Sequence, residues 1–411
     1  MSIGWPNTVA WHGKGYILDA AGWGSKDSVD PCGMGVMFVA HEEAHFPRSG
    51  IVHRPCREKD RSLSAILFQL HAVPHQSLCS SISLCDGCLK TDLGSMPILA
   101  SPQFPKEQSE SGEFVRQQDA FRRWVTSDPE GELPPTPHRY HLYVSWACPW
   151  AHRIIIVRHL KSLEKIIGMT VVDPIRDDKG WAFRDVPGAS RDPINGFRYL
   201  SEAYLATSPG YDGRVTVPVL WDKETKQIVS NSDDDLMRIL NSAFNEVTGN
   251  QLDLYPTEHR AEIDSLNETI YETVNDGVYR AGFATSQHAY ETAVLALFKT
   301  LDELDDRLAT RRFLFGPQPL ETDWRLFVTL IRFDAVYHGH FKCNVRRILD
   351  YRNLYGYLRD LYQQPGIAET VNFDHIKRHY YYTHDDINPT QIVPIGPNQD
   401  LNSPHGREGV G

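Results

Sequence analysis

The chain has 411 residues, 11% of them aromatic, with nine Trp and eighteen Tyr, which fits a folded enzyme of two or three domains rather than a disordered scaffold. Lys and Arg number 42 against 53 Asp and Glu, a net charge of −11 with no basic run, so nucleic acid is not an expected partner. No stretch reaches the roughly eighteen consecutive apolar residues that a span requires, and the N-terminal region, with Asp19, Asp27, Asp30, Glu42 and Glu43, has neither a signal's apolar core nor a transit peptide's charge, so no membrane partner is expected.

Residues 1–105 hold five of the seven Cys and many Ser, Gly and His, with little periodicity; they read as an N-terminal extension, disordered or unrelated to the core fold. His71, His75, Cys79, Cys85 and Cys88 are zinc-type ligands, but the spacing matches no established zinc pattern, so no metal is expected. An odd Cys count in a long chain points to a reducing, cytoplasmic compartment. From Gly112 the texture becomes enzyme-like. Phe114, Phe121 and Trp124 are spaced for one side of a short amphipathic segment, and Leu133-Pro134-Pro135-Thr136-Pro137 leads into a strand over Arg139–Val144.

The next stretch, Cys148-Pro149-Trp150-Ala151-His152-Arg153, marks a helix start running on to Leu163. A Pro suits the first helical turn. The unpaired N–H groups of that turn, with the helix dipole, favour thiolate on the preceding Cys. A redox CxxC pair would need a second Cys at 151, where this chain has Ala151. A mixed disulfide on Cys148 must then be resolved by an external thiol.

Met169–Val172 reads as a second, parallel strand, followed by a loop-like insertion from Asp173 to Gly213. Val215–Trp221 is a strand interrupted by Pro218; opposite a helix-start Cys, this points to a cis-Pro that shapes a ligand site. Gln227–Ser230 is a short partner strand, and Asn231 and Ser232 cap a helix over Asp233–Leu240. The order β, α, β, β, β, α is thioredoxin-like. From Thr257 to Tyr382 apolar residues recur at three and four (Ile263, Leu266, Ile270; Val294, Leu297, Phe298, Leu301, Leu304; Phe327, Leu330, Ile331), predicting a helical bundle. The strip Ile392–Pro397 is expected to lie along the surface. The expected organisation is an extension over 1–105, a thioredoxin-like α/β domain over 106–250, an all-α domain over 251–385 and a tail over 386–411.

A thioredoxin-like half followed by a helical half resembles the glutathione transferases. Six ordered blocks narrow the resemblance to the glutathionyl-hydroquinone reductases, the xi class: Arg139–Val144 leading into Ala147–Arg153, Arg214–Asp222, Gly277–Ala284, Val336–Asn344, His375–Tyr381 and Ile387–Thr390. Together they cover about residues 112–397, and their joint occurrence is far more specific than the Cys-Pro pair. The resemblance implies that Cys148 attacks the sulfur of a glutathionyl-hydroquinone, expels the hydroquinone and is freed by a second glutathione. It implies that glutathione, as co-substrate, is held by Trp181, Arg214 and the backbone of Val217, the last by strand addition. It implies that Tyr279, Tyr337 and Tyr380 line the quinol site, where phenols hydrogen-bond the substrate and help protonate the leaving carbon. It also implies a homodimer.

One departure stands out. Where the family has a Glu-Ser pair at the start of the helix after the fourth strand, this chain has Ser232-Asp233, then Asp234 and Asp235. A helix N-terminus suits a carboxylate ligand, and Asp233 puts negative charge there, so weakened or altered glutathione binding is expected. Asp234 and Asp235 are read as satisfying the helix dipole. Two other readings stay open at this level: an omega-like thiol transferase or dehydroascorbate reductase, which needs the Cys but not the tyrosines, and a non-catalytic binding protein that retains the fold.

Overall fold

The computed structural model describes residues 105–128 and 130–411; the Cys- and His-rich stretch His71–Cys88 lies outside the described residues. Seven elements form the first half: β1 (Tyr140–Val144), α1 (Pro149–Leu160), β2 (Gly168–Val171), α2 (Ser201–Thr207), β3 (Val219–Asp222), β4 (Gln227–Ser230) and α3 (Asp233–Ser242). The sheet order is β2-β1-β3-β4. β1 pairs with β2 in parallel and with β3 antiparallel, and β3 pairs with β4 antiparallel, which is thioredoxin-like topology.

Every residue of β1 is buried, because both sheet faces are covered. The Asp173–Gly213 insertion covers one of them: Tyr143 packs edge-on against Phe183 at 5.1 Å, and Phe197 against Trp221 at 5.7 Å. α1 is buried nearly all round over Ala151–Val157, with Ile154, Ile155, Ile156 and Val157 at its centre, as a helix enclosed by neighbours is; it lies against α3 and against α8 of the helical half.

That half comprises α4 (Asn245–Thr248), α5 (Arg260–Ile270), α6 (Gly277–Gly282), α7 (Gln287–Arg307), α8 (Glu321–Arg332), α9 (Leu354–Tyr362) and α10 (Phe373–Thr383). Wide π-type turns follow α5 over Tyr271–Asn275 and α8 over Phe333–Tyr337. Such turns re-aim side chains within a helix, and Tyr337 closes the second.

Several expected elements differ in detail. The Cys-Pro helix begins at Pro149 and ends at Leu160, and the third strand begins after Pro218 rather than spanning it. The insertion contains α2 and is not all loop. Phe114, Phe121 and Trp124 do not share a side: Phe114 is buried, whereas Trp124 is 43% exposed, because the segment is extended. It joins the two halves, through Gln108 Nε2 donating to Phe283 O at 3.1 Å and Arg123 N donating to Val229 O at 3.0 Å. The Ile392–Pro397 strip does lie along the surface.

Candidate active site

Cys148 is the N-cap of α1, with extended backbone. The loop before it is latched from α8. Arg332, fully buried, donates to Ala147 O at 3.0 Å, to Trp146 O at 2.9 Å and to His152 Nδ1 at 3.0 Å. His152 therefore carries its proton on Nε2 and donates it to Thr370 Oγ1 at 2.8 Å. A guanidinium holding two carbonyls and an imidazole fixes the turn's geometry from behind.

Across from the thiol runs the Val215–Pro218 segment, whose Val217–Pro218 bond is cis as expected. The Cys148 thiol points at Val217 O, 3.4 Å away. Cys148, Val217, Trp181, Arg214, Tyr279 and Tyr380 line one cleft, and Asp233 lines its continuation past Arg214 and Val217. Ser232 and Tyr337 are not on the lining. Ser232 is buried and caps α3, accepting from Asp235 N at 3.4 Å. Tyr337 is fully buried behind Tyr380.

The tyrosines form a chain. Tyr380 Oη is 2.5 Å from Tyr279 Oη and 3.0 Å from Tyr337 Oη. Each phenol has one proton to give; when Tyr337 donates to Tyr380 and Tyr380 to Tyr279, the proton of Tyr279 is left for the cleft. Burial pushes Tyr279 up and Tyr337 and Tyr380 well up, so all three stay neutral donors at physiological pH. The cluster is packed tightly: Phe341 stacks on Tyr337 at 5.6 Å and meets Tyr279 edge-on at 5.4 Å. Behind Phe341, a Cβ added at Gly282 would fall 2.2 Å from its ring. Gly282→Ala is expected to cost about 1–3 kcal/mol of stability through overpacking, read as a lower denaturant midpoint; an unchanged midpoint would show that the ring can yield.

The thiol departs from expectation. Burial pushes Cys148 up, opposed by the Ala151 amide, by the charge on Arg332 and by the Trp150 amide. No side-chain hydrogen bond caps the helix, so the helix start offsets burial only in part, and the thiol form is favoured where a thiolate was expected.

Arg214, on the lining, pairs with buried Glu107 at 2.6 Å. Trp181 stacks on His379 at 4.9 Å and 20°. Asp233 does not stand as an isolated negative charge: Arg153 Nη1 donates to it at 2.6 Å. Asp234 pairs with Arg325 at 2.6 Å and Asp235 with Arg122 at 2.7 Å, so both do more than answer the helix dipole. Arg116, Arg176, His379 and His384 also stand on the lining, with Arg332 behind it, and none of them is among the site residues expected from the sequence. His379 lies within one of the recognised blocks, and Arg153 ends the Cys-Pro block. The arginines of extended segments and helix interiors carry no local signal.

A thioredoxin-like sheet joined to a helical half, with a Cys-Pro helix start facing a cis-Pro segment, is glutathione transferase architecture. Residues 147–243 match the family described as glutathione S-transferase, N-terminal domain, and residues 287–360 the C-terminal domain. The chain is 52% identical to glutathionyl-hydroquinone reductase YqjG of Escherichia coli over 310 residues, 73% of this chain and 94% of that one. It is 49% identical to glutathionyl-hydroquinone reductase PcpF of Sphingobium chlorophenolicum, over 72% of this chain and 93% of that one. The glutathione-bound structure of YqjG from Escherichia coli superimposes with a TM-score of 0.69, covering 71% of this chain and 96% of that one at 52% identity. The chain belongs to the glutathionyl-hydroquinone reductases, the xi class of the glutathione transferases.

Proposed function

We propose that this protein reduces glutathionyl-hydroquinones to hydroquinones with glutathione as co-substrate. The observation that carries the reading is the meeting, in one cleft, of a buried helix-start Cys148 and the Tyr279–Tyr380 end of a hydrogen-bonded tyrosine chain. The Cys148 thiolate attacks the substrate's sulfur. An S–S bond forms, the C–S bond breaks, and its electron pair goes to the ring carbon, which takes a proton from the Tyr279–Tyr380 end of the chain. A second glutathione, whose thiol proton restores the tyrosine chain, then attacks the Cys148–glutathione disulfide as thiolate, leaving glutathione disulfide and the Cys148 thiolate. The scheme conserves electrons and uses no metal.

Glutathione is held by Trp181, by Arg214 and by strand pairing with Val217, with its γ-glutamyl end toward Ser232 and Asp233. Tyr279 and Tyr380 contact the quinol, and Tyr337 polarises Tyr380 from behind. We assign residues 106–250 to the glutathione-binding domain, 251–385 to the quinol-binding domain, 386–411 to a tail and 1–105 to an extension. We further propose a homodimer in the cytoplasm, where Cys148 stays reduced. Among the described residues no helix is long and apolar enough to cross a membrane.

Mass spectrometry after incubation with glutathionyl-menadiol tests the reading. A glutathione adduct on Cys148, discharged by glutathione as quinol appears, is the expected result. Absence of both adduct and quinol would leave a binding protein. Tyr279→Phe and Tyr337→Phe separate the reductase from an omega-like thiol transferase. Each is expected to lower kcat/KM for glutathionyl-menadiol about 10- to 100-fold, in line with losing one acid or its hydrogen bond, while thiol transfer to a small disulfide falls much less. No loss of either activity in both variants would favour the thiol transferase.

A further inference from the structure

Tyr380 has a part in this scheme; its neighbour on α10, His379, has none. His379 is buried, lies against the Trp181 indole and lines the same cleft as Cys148 and Tyr279. Its Nδ1 is 2.7 Å from Pro174 O. A carbonyl can only accept, so Nδ1 carries the proton and Nε2 presents a lone pair. Burial, then the positive charge of Arg176, hold the imidazole down at about 3; it remains a neutral acceptor throughout the physiological range.

Its surroundings are rich in donors. The cleft carries the guanidinium groups of Arg116, Arg176 and Arg214 and the hydroxyl-bearing Tyr279 and Tyr380. The adjacent His384 is tied through Nδ1 to His340 Nε2 at 3.2 Å. A fixed neutral acceptor in a donor-rich cleft matches a ligand group that both gives and takes a hydrogen bond. A phenolic hydroxyl does both; a quinone carbonyl or an ether oxygen only accepts.

We propose that His379 is a specificity-determining residue of the quinol site, whose Nε2 accepts a hydrogen bond from a ring hydroxyl of the hydroquinone. The proposal rests on the reductase reading above and adds to it a reason for selecting the reduced, hydroxyl-bearing ring. A site built to pair a substrate hydroxyl rejects an analogue lacking it, because its own buried group is then left unpaired.

The test uses 1-naphthol and naphthalene, which differ only in the hydroxyl, as competitive inhibitors of glutathionyl-menadiol turnover. The wild-type protein is expected to prefer 1-naphthol about 10- to 100-fold. In His379→Phe, which keeps a ring against Trp181, the preference should collapse to within about threefold, and in His379→Gln, whose amide oxygen can accept, part of it should survive. An unchanged preference in the Phe variant overturns the proposal. So does a rise confined to the glutathione KM, which would assign His379 to the co-substrate's peptide. Should the Phe variant not fold, a wild-type preference near one, or a His379→Leu variant that keeps the wild-type preference, overturns it equally. Failure of the wild type to turn over glutathionyl-menadiol would sink the reductase reading instead; quenching of Trp fluorescence by the two ligands then still decides the hydroxyl preference.

Discussion

Cys148→Ala is expected to lower turnover of glutathionyl-menadiol by about 10⁴-fold or more, with no glutathione adduct in the mass spectrum. Losing a covalent nucleophile costs on that order, because the residual rate rests on binding and orientation alone. Among the described residues the other free cysteine is Cys343, which is buried and whose thiol burial pushes above the ordinary range, so it offers no second nucleophile. The state of Cys148 adds a pH dependence. Burial raises its pKa against the Ala151 amide and Arg332, so the protonated thiol dominates at neutral pH and the thiolate fraction grows about tenfold per pH unit below the pKa. Alkylation by iodoacetamide in the absence of glutathione should therefore be slow at pH 7 and climb steadily to pH 9. A rate flat from pH 6 to 8 would mean a resident thiolate, and would show that the helix start outweighs burial after all.

The parts of this protein legible in its sequence are those whose signal is local. Pro149 after Cys148, Pro218 after a β-branched run and Ser232 before three acidic residues each state a backbone geometry within a few positions, and each was found where expected: a helix start, a cis peptide and an N-cap. The helix α2 escaped because seven residues give too few turns for periodicity to register, and one of its apolar side chains, Leu205, is exposed. The extended strap carrying Phe114 and Arg116 was misread for the converse reason: its apolar residues answer to two different neighbours, not to one helix face. Long-range pairings were the least legible. Nothing near Ala147 announces Arg332, and nothing near Asp233 announces Arg153, since each partner is brought in by the packing of α1 against α8 and α3. The thiol's state belongs to the same class: the helix start is a local feature, whereas the burial that outweighs it is a property of the whole cleft.

Arg153→Met should destabilise the protein by about 3–5 kcal/mol, the usual consequence of removing one partner of a buried ion pair. Arg153 has no exposed surface. It donates to Asp233 at 2.6 Å and to Asn275 Oδ1 at 2.8 Å, and its guanidinium lies 4.7 Å over the Trp150 ring. Asn275 in turn donates to Arg325 O at 2.9 Å and to Thr329 Oγ1 at 2.8 Å. The thiol-bearing helix, the start of α3, the wide turn after α5 and α8 thus meet at one guanidinium. Burial pushes Asp233 up against the pull of Arg153; without that pull the carboxyl takes a proton or drags in water, and either way loses its anchor. Adding Asp233→Ser to Arg153→Met should restore part of the loss, because the stranded carboxylate is gone. Asp233→Ser alone should cost less, since Asp234 remains 3.7 Å from Arg153. The same single change should lower the glutathione KM about fivefold or more, because the Arg153 guanidinium that now serves Asp233 is released toward the γ-glutamyl carboxylate, next to a helix N-terminus no longer flanked by that charge. Urea denaturation of the three variants and a glutathione titration decide the matter. If Asp233→Ser leaves the KM unchanged or raises it, Asp233 does not compete with the ligand, and its pairing with Arg153 is part of how this enzyme holds glutathione.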